Sequence, residues 1–221
     1  MGNVPPGVEG STSIVKRLWP TVHLDLRGAG LDLGGGAGAK PGGVVRSPLG
    51  TEGTMATQTV RDLEAKADTA WKNLTAQLGG MEPYLERADA PGEWTAREVL
   101  SHLLEGDDWK PAAVLASFAE RDLPTIDIAP GETFLTPARR KMTLKQLLDA
   151  IDAHRREIFA YLDGLSDKDL SRKARIPLFK SFMGTDEIPL PVFVGAMFDY
   201  HVNDHAGQIA KIRKAVGLSA V

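Results

Sequence analysis

Three histidines carry most of the chemical potential of this 221-residue chain. His201 and His205 stand four residues apart, so on a helix their rings project from the same face. That face is the apolar one. At 100° per residue, Val194, Phe198, His201, His205, Ile209, Ile212 and Val216 share one direction, with Asp199 and Asn203 opposite. Two unpaired imidazoles buried in such a stripe cost about 1–3 kcal/mol each in desolvation. A bound metal offsets that cost, because neutral imidazole is a common ligand for zinc and similar ions. A His-x-x-x-His pair read alone also describes core or surface histidines. His102 adds the third group: it lies at the edge of a second helical stripe with Val99, Gly106 and Trp109. Helix bundles build their sites from facing helices, and three histidines leave a position open for water or substrate.

Weaker candidates surround these. Glu105, three residues from His102, is read as an outer-sphere acceptor, a general base or a plain surface charge. Gln208, a turn from His205, could orient a ligand or a water. Arg155 falls near the middle of a third helical stripe, either as a snorkelling stem or as a cation for an anionic substrate. His154 reads as a boundary residue, Trp109 as packing, and His23 as solvated. With no Cys, the chain has no disulfide, Cys-based zinc finger, iron–sulfur cluster or Cys nucleophile, so any metal rests on His, Asp or Glu.

Four helices must position these groups. The first runs from about Thr57 to Leu78 with its apolar stripe on Val60, Leu63, Ala67, Ala70, Trp71, Leu74 and Leu78, and stops at Gly79-Gly80. The second opens on the capping box Thr95-Ala-Arg-Glu98, with Trp94 and Val99 as its hydrophobic staple. It is expected to run past Trp109, kink at Pro111 and continue to Glu120. The third opens on Thr143-Leu-Lys-Gln146, carries Leu144, Leu147, Leu148, Ile151, Ile158, Leu162 and Leu165, and ends at Gly164, with a short extra turn at Ser166. The fourth spans Pro191 to Gly217. No βαβ alternation or hairpin signal appears, so the fold class is all-α. The links 121–142 and 166–190 are long; a crossover running the length of a four-helix bundle accounts for the first and sets helices 2 and 3 parallel.

The first 54 residues differ in kind. They hold 13 of the 23 glycines and no helical or strand period. Gly28-x-Gly30-x-x-x-Gly34 has the wrong spacing for a dinucleotide fingerprint, and Gly34 to Lys40 lacks the phosphate-loop residues around Lys40. Residues 1–54 are therefore expected to be a disordered leader, or a non-native extension upstream of a start at Met55, with the folded domain at 55–221. The near balance of 26 Lys+Arg against 29 Asp+Glu argues against a nucleic-acid binder, and no apolar run approaches a membrane span.

The segments Trp94-Thr-Ala-Arg-Glu-Val-Leu-Ser-His102-Leu and His201-Val-Asn-Asp-His205-Ala-Gly-Gln-Ile-Ala-Lys-Ile-Arg213 resemble the DinB/YfiT-like superfamily, over residues 55–217. The resemblance implies an up-down-down-up four-helix bundle with a long helix 2–3 crossover, and a divalent metal, zinc or nickel, on His102, His201 and His205. It also suggests a homodimer; the expected setting is cytoplasmic, with a small-molecule substrate and neither nucleic acid nor membrane as partner. Members include low-molecular-weight thiol S-transferases, maleylpyruvate isomerases and metal-dependent hydrolases. The expected function is a metal-dependent enzyme acting on small electrophiles, with a thiol as possible co-substrate. The alternatives are a non-catalytic metal- or ligand-binding stress protein and a plain helical interaction module.

Overall fold

A computed structural model of the protein describes residues 56–221; the leader 1–54 and the start at Met55 lie outside the described residues. The first helix, α1 (Gln58–Leu78), is capped by the Thr57 hydroxyl, which accepts from the Val60 amide. It buries Val60, Ala67, Ala70, Leu74 and Leu78, the stripe its period requires. After a single 3₁₀ turn at Glu82–Tyr84, α2 (Ala96–His102) begins on the capping box: Thr95 takes the Glu98 amide while the Glu98 carboxylate takes the Thr95 amide. The same device opens α4 (Leu144–Leu162) through Thr143 and Gln146, and the one-turn α5 (Asp167–Leu170) through Ser166 and Asp169.

The second helix departs from its expected course. It ends at His102, and Pro111 does not kink it; Pro111 instead stands in the first turn of a separate helix, α3 (Pro111–Ser117). Proline fits there because the amides of a first turn have no intrahelical partner. Between the two helices Glu105 takes a left-handed backbone (φ 57°), which no α-helix continues through. Gly106 is thus not a helical neighbour of His102; a Cβ there would meet the Phe134 ring at 3.8 Å.

Link 121–142 carries one 3₁₀ turn, at Arg139–Lys141. Link 166–190 holds more structure than expected. Strand β1 (Lys173–Arg175) pairs antiparallel with β2 (Glu187–Pro189), and the short α6 (Lys180–Met183) lies between them. β1 also bridges to Ala119 and Thr125, tying the two links together.

The last helix has three parts in unbroken succession: α7 (Leu190–Gly195), a π-helical turn at Ala196–Tyr200, and α8 (His201–Ala215). The His201 amide closes the π turn on the Ala196 carbonyl, and Gly217 (φ 80°) follows the end as the left-handed cap. α8 lies against α1, where Asn73 donates to Asn203 at 3.0 Å and Arg213 to the Gln77 carbonyl at 3.2 Å.

The buried apolar side chains form two clusters. One gathers Val60, Ala67, Ile158, Phe193 and Met197 with the residues of the second link; the other gathers Ala70, Leu74, Val99, Leu147, Ile151, Val202 and Ile209. Along α1, α4 and the last helix, the change from one cluster to the other falls between Ala67 and Ala70, between Ile158 and Ile151, and between Met197 and Val202. His201 stands at that seam, between Met197 and Val202.

Candidate metal centre

His201 and His205 come from the first two turns of α8, and His102 from the last turn of α2. All three are buried, and their ring nitrogens converge. His201 Nε2 lies 2.9 Å from His102 Nε2 and 2.9 Å from His205 Nε2.

The far nitrogens decide what this convergence means. His102 Nδ1 donates to the Glu132 carbonyl at 2.6 Å, and His205 Nδ1 donates to Gln208 Oε1 at 2.9 Å. A carbonyl oxygen can only accept, so both rings carry their proton on Nδ1 and turn an Nε2 lone pair inward. His201 Nε2 carries at most one proton and can satisfy only one of its two neighbours. The cluster is therefore one positive centre short, and a metal cation fits three nitrogens that converge with at most one proton among them. Protonation does not fill the gap. Burial pushes His205 down to about 3, with His102 adding to the effect. Burial first, then His205 and His102, holds His201 well below the usual imidazole range; burial lowers His102 against the pull of the Glu132 carbonyl.

His102 is fixed by residues far away in sequence. The Arg139 guanidinium is buried and reaches the carbonyls of Ser101 (2.9 Å), Glu105 (2.6 Å) and Phe134 (3.2 Å), and Asp107 Oδ1 at 2.9 Å. It thereby caps the end of α2 and ties that end to the crossover. Arg97 holds the next stretch, donating to the carbonyls of Met142 (2.6 Å) and Arg139 (3.1 Å) and pairing with Glu86. Phe134 stacks on His102 with planes 7° apart, and Trp94 lies parallel to His205 (10°) while tilting against His102. These half-buried rings pack against the imidazoles of His102 and His205.

Two recesses adjoin the cluster. The smaller, about 430 Å³ counted to its mouth, is lined by all three histidines, Glu105 and crossover residues 128–131. The larger, about 660 Å³ counted to its mouth, is reached by His201 alone of the three. Glu105, His201 and Met197 line both. Burial pushes the Glu105 carboxyl up to about 7 against the opposing charge of Arg139, so near neutral pH it can hold or release a proton.

Of the weaker sequence candidates, Gln208 is the Nδ1 partner of His205 and Glu105 lies on the wall between the recesses. Arg155 lines the larger recess, but Asp68 and Asp152 take its guanidinium. His154 and Trp109 line that recess too, Trp109 from the segment between α2 and α3 rather than from a helix. Sequence reasoning missed Arg139, Phe134 and the Glu132 carbonyl. Nothing local marks them, since Arg139 begins an ordinary basic run, Arg139-Arg140-Lys141. Trp94 was legible as a staple, and its place behind the rings follows from standing beside the same cap.

No curated protein matches the chain. Among solved structures it is similar to YfiT from Bacillus subtilis, described as a probable metal-dependent hydrolase with an unusual four-helix bundle topology. The identity is 18%, the TM-score 0.57, and the match covers 82% of this chain and 95% of that one, which shows a shared four-helix-bundle fold. The sequence pattern of the DinB superfamily matches residues 54–209, and the chain belongs to that superfamily.

Proposed function

We propose that the protein is a metal-dependent enzyme. In this reading His102, His201 and His205 hold one divalent ion, zinc or nickel, and the reaction is hydrolysis of a small electrophile or its attack by a low-molecular-weight thiol. One observation carries the reading: three buried Nε2 atoms converge, and the Nδ1 atoms of His102 and His205 already have acceptors, leaving more inward lone pairs than protons. YfiT, with the same fold, is described as probably metal-dependent, which supports it.

A divalent ion at these nitrogens supplies Lewis acidity, making water or a thiol acidic near neutral pH and polarising an electrophile. The chain's own residues do the rest. The Glu132 carbonyl and Gln208 fix two rings in the ligating tautomer. Trp94 and Phe134 pack against the His102 and His205 rings. Glu105 stands where it can take a proton from the nucleophile and return it to the leaving group, the role a carboxyl poised near 7 suits.

The test is metal content after reconstitution with zinc or nickel, followed by a metal-dependent activity screen against small electrophiles with and without bacillithiol, mycothiol or glutathione. One equivalent of metal and turnover lost on chelation are expected. No bound metal overturns the reading. Metal bound without turnover against any member of the panel overturns the enzyme and leaves a metal-binding protein.

A further inference from the structure

The larger recess opens on the seam between the two apolar clusters. Its apolar wall includes Trp71, Trp109, Phe193, Phe198, Ile151 and Ile158. A concave, aromatic-walled cleft favours a flat apolar body.

The charge on its wall is settled by pairing. Arg155 is the group an anionic ligand would seek, and two carboxylates already hold it: Nη1 pairs with Asp68, while Nε and Nη2 each lie 3.0 Å from Asp152 Oδ1. Asp152 also pairs with Arg156 through its other oxygen, at 3.1 Å, so two guanidiniums and two carboxylates balance and an arriving ion of either sign finds no unpaired charge. Glu105 attracts an anion in neither of its protonation states. His154 is lowered chiefly by burial, which favours its neutral form.

We propose that this recess takes an uncharged molecule with an aromatic or flat apolar body, and that Asp68 and Asp152 exclude anions by occupying Arg155. As a statement about substrate class it rests on the metal-centre reading, because His201 forms the shared edge between recess and cluster. The body would lie among the aromatic side chains with its reacting group at that edge. The device is negative selection: the positive group is present, and its charge is spent internally.

Benzamide, benzoate and benzamidinium have nearly one shape and differ in charge, so they test this directly. They are titrated into the full chain after chelator treatment, so that a carboxylate has no ion to ligate, with binding read by ligand-detected NMR and Trp fluorescence. Benzamide should bind about tenfold or more tighter than benzoate, and tighter than benzamidinium. Trp109→Ala and Phe198→Ala should each weaken benzamide by about fivefold or more at unchanged circular dichroism. The double variant Asp68→Asn, Asp152→Asn, which frees Arg155, should raise benzoate affinity by about tenfold and leave benzamide within about twofold. Binding of neither benzamide nor its analogues, preference for either ion, or unchanged benzoate affinity in the double variant each overturns the proposal. Metal content of the untreated chain is measured separately. A chain without metal that still selects benzamide keeps the recess and loses the metal centre; a metal-loaded chain without selectivity does the reverse.

Discussion

His201 and His205 stand on α8, where helical period alone aligns them and the packing of α8 on α1 fixes the helix. His102 stands on a helix of seven residues that ends at His102 itself. So short a helix has little stability of its own. Its position depends on a capping box at one end and, at the other, on Arg139, the Phe134 ring and the Glu132 carbonyl, contributed from 30 or more residues downstream. Two of the histidines come from a regular element, and the third comes from an assembled clamp. The difference teaches where the cluster is vulnerable: the pair fails only if a ring is removed, whereas His102 also loses its place if its supports are removed.

The largest effect should come from the rings. His201→Ala and His205→Ala should abolish stoichiometric zinc binding, while His102→Ala should leave a two-His site weaker by more than about 100-fold, beyond the loss expected from removing an outer partner. Metal titration by calorimetry measures both. If His102→Ala binds as the wild type does, the clamp serves stability alone.

Next comes the clamp itself. Arg139→Met leaves the carbonyls of Ser101, Glu105 and Phe134 without their shared donor, and should cost about 3–5 kcal/mol in denaturant unfolding. Metal affinity should fall about 10–100-fold with both α8 histidines untouched. Arg139→Lys should not rescue it, because a single ammonium cannot span four acceptors. Full affinity in a folded Arg139→Met protein would show that His102 needs no clamp.

Glu105 on the clamp side gives a pH-dependent effect. Its folded value, about 7, lies above the ordinary 4.5, so the folded state keeps a proton that the unfolded state has lost between these values. The carboxylate therefore costs stability above pH 7, and the cost vanishes as pH falls to about 4.5. In chelator-treated protein, Glu105→Gln should be more stable than wild type by up to about 3 kcal/mol at pH 8, and equal to it near pH 4.5. A gap that does not change with pH would place Glu105 in water.

The smallest effect concerns the other end of α2. Thr95→Ala removes the capping hydroxyl and should cost about 1 kcal/mol. A drop in metal affinity larger than that stability loss implies would show that the cap also aims His102.

The same contrast explains what was legible in the sequence. The capping boxes at Thr95 and Thr143 were readable because both partners lie within four residues, and the stripe of α1 because it is uninterrupted. The early end of α2 was not, since the group that ends it, Arg139, is remote. The β1–β2 pair was not, because three residues per strand give no countable alternation. The three histidines were legible as a set through pattern and family resemblance together; their convergence to 2.9 Å, and the carbonyl and amide that orient them, belong to tertiary structure.

The π turn before His201 made the stripe of the last helix only partly readable. Counting at a constant 100° puts Val194 in line with His201; in the structure Val194 is core, and Phe193 shares the recess wall with His201. A π turn takes up about one residue more than an α turn, and that residue is worth about 100° of rotation. The two halves of the helix are thus indexed against each other by a surplus residue. Deleting one residue within 196–200 and letting the turn close as ordinary α-helix keeps Phe193 and His201 on a common bearing. Forcing α geometry at full length swings them about 100° apart. The helix counts one more residue than its two ends need, and that count is what aims the histidines.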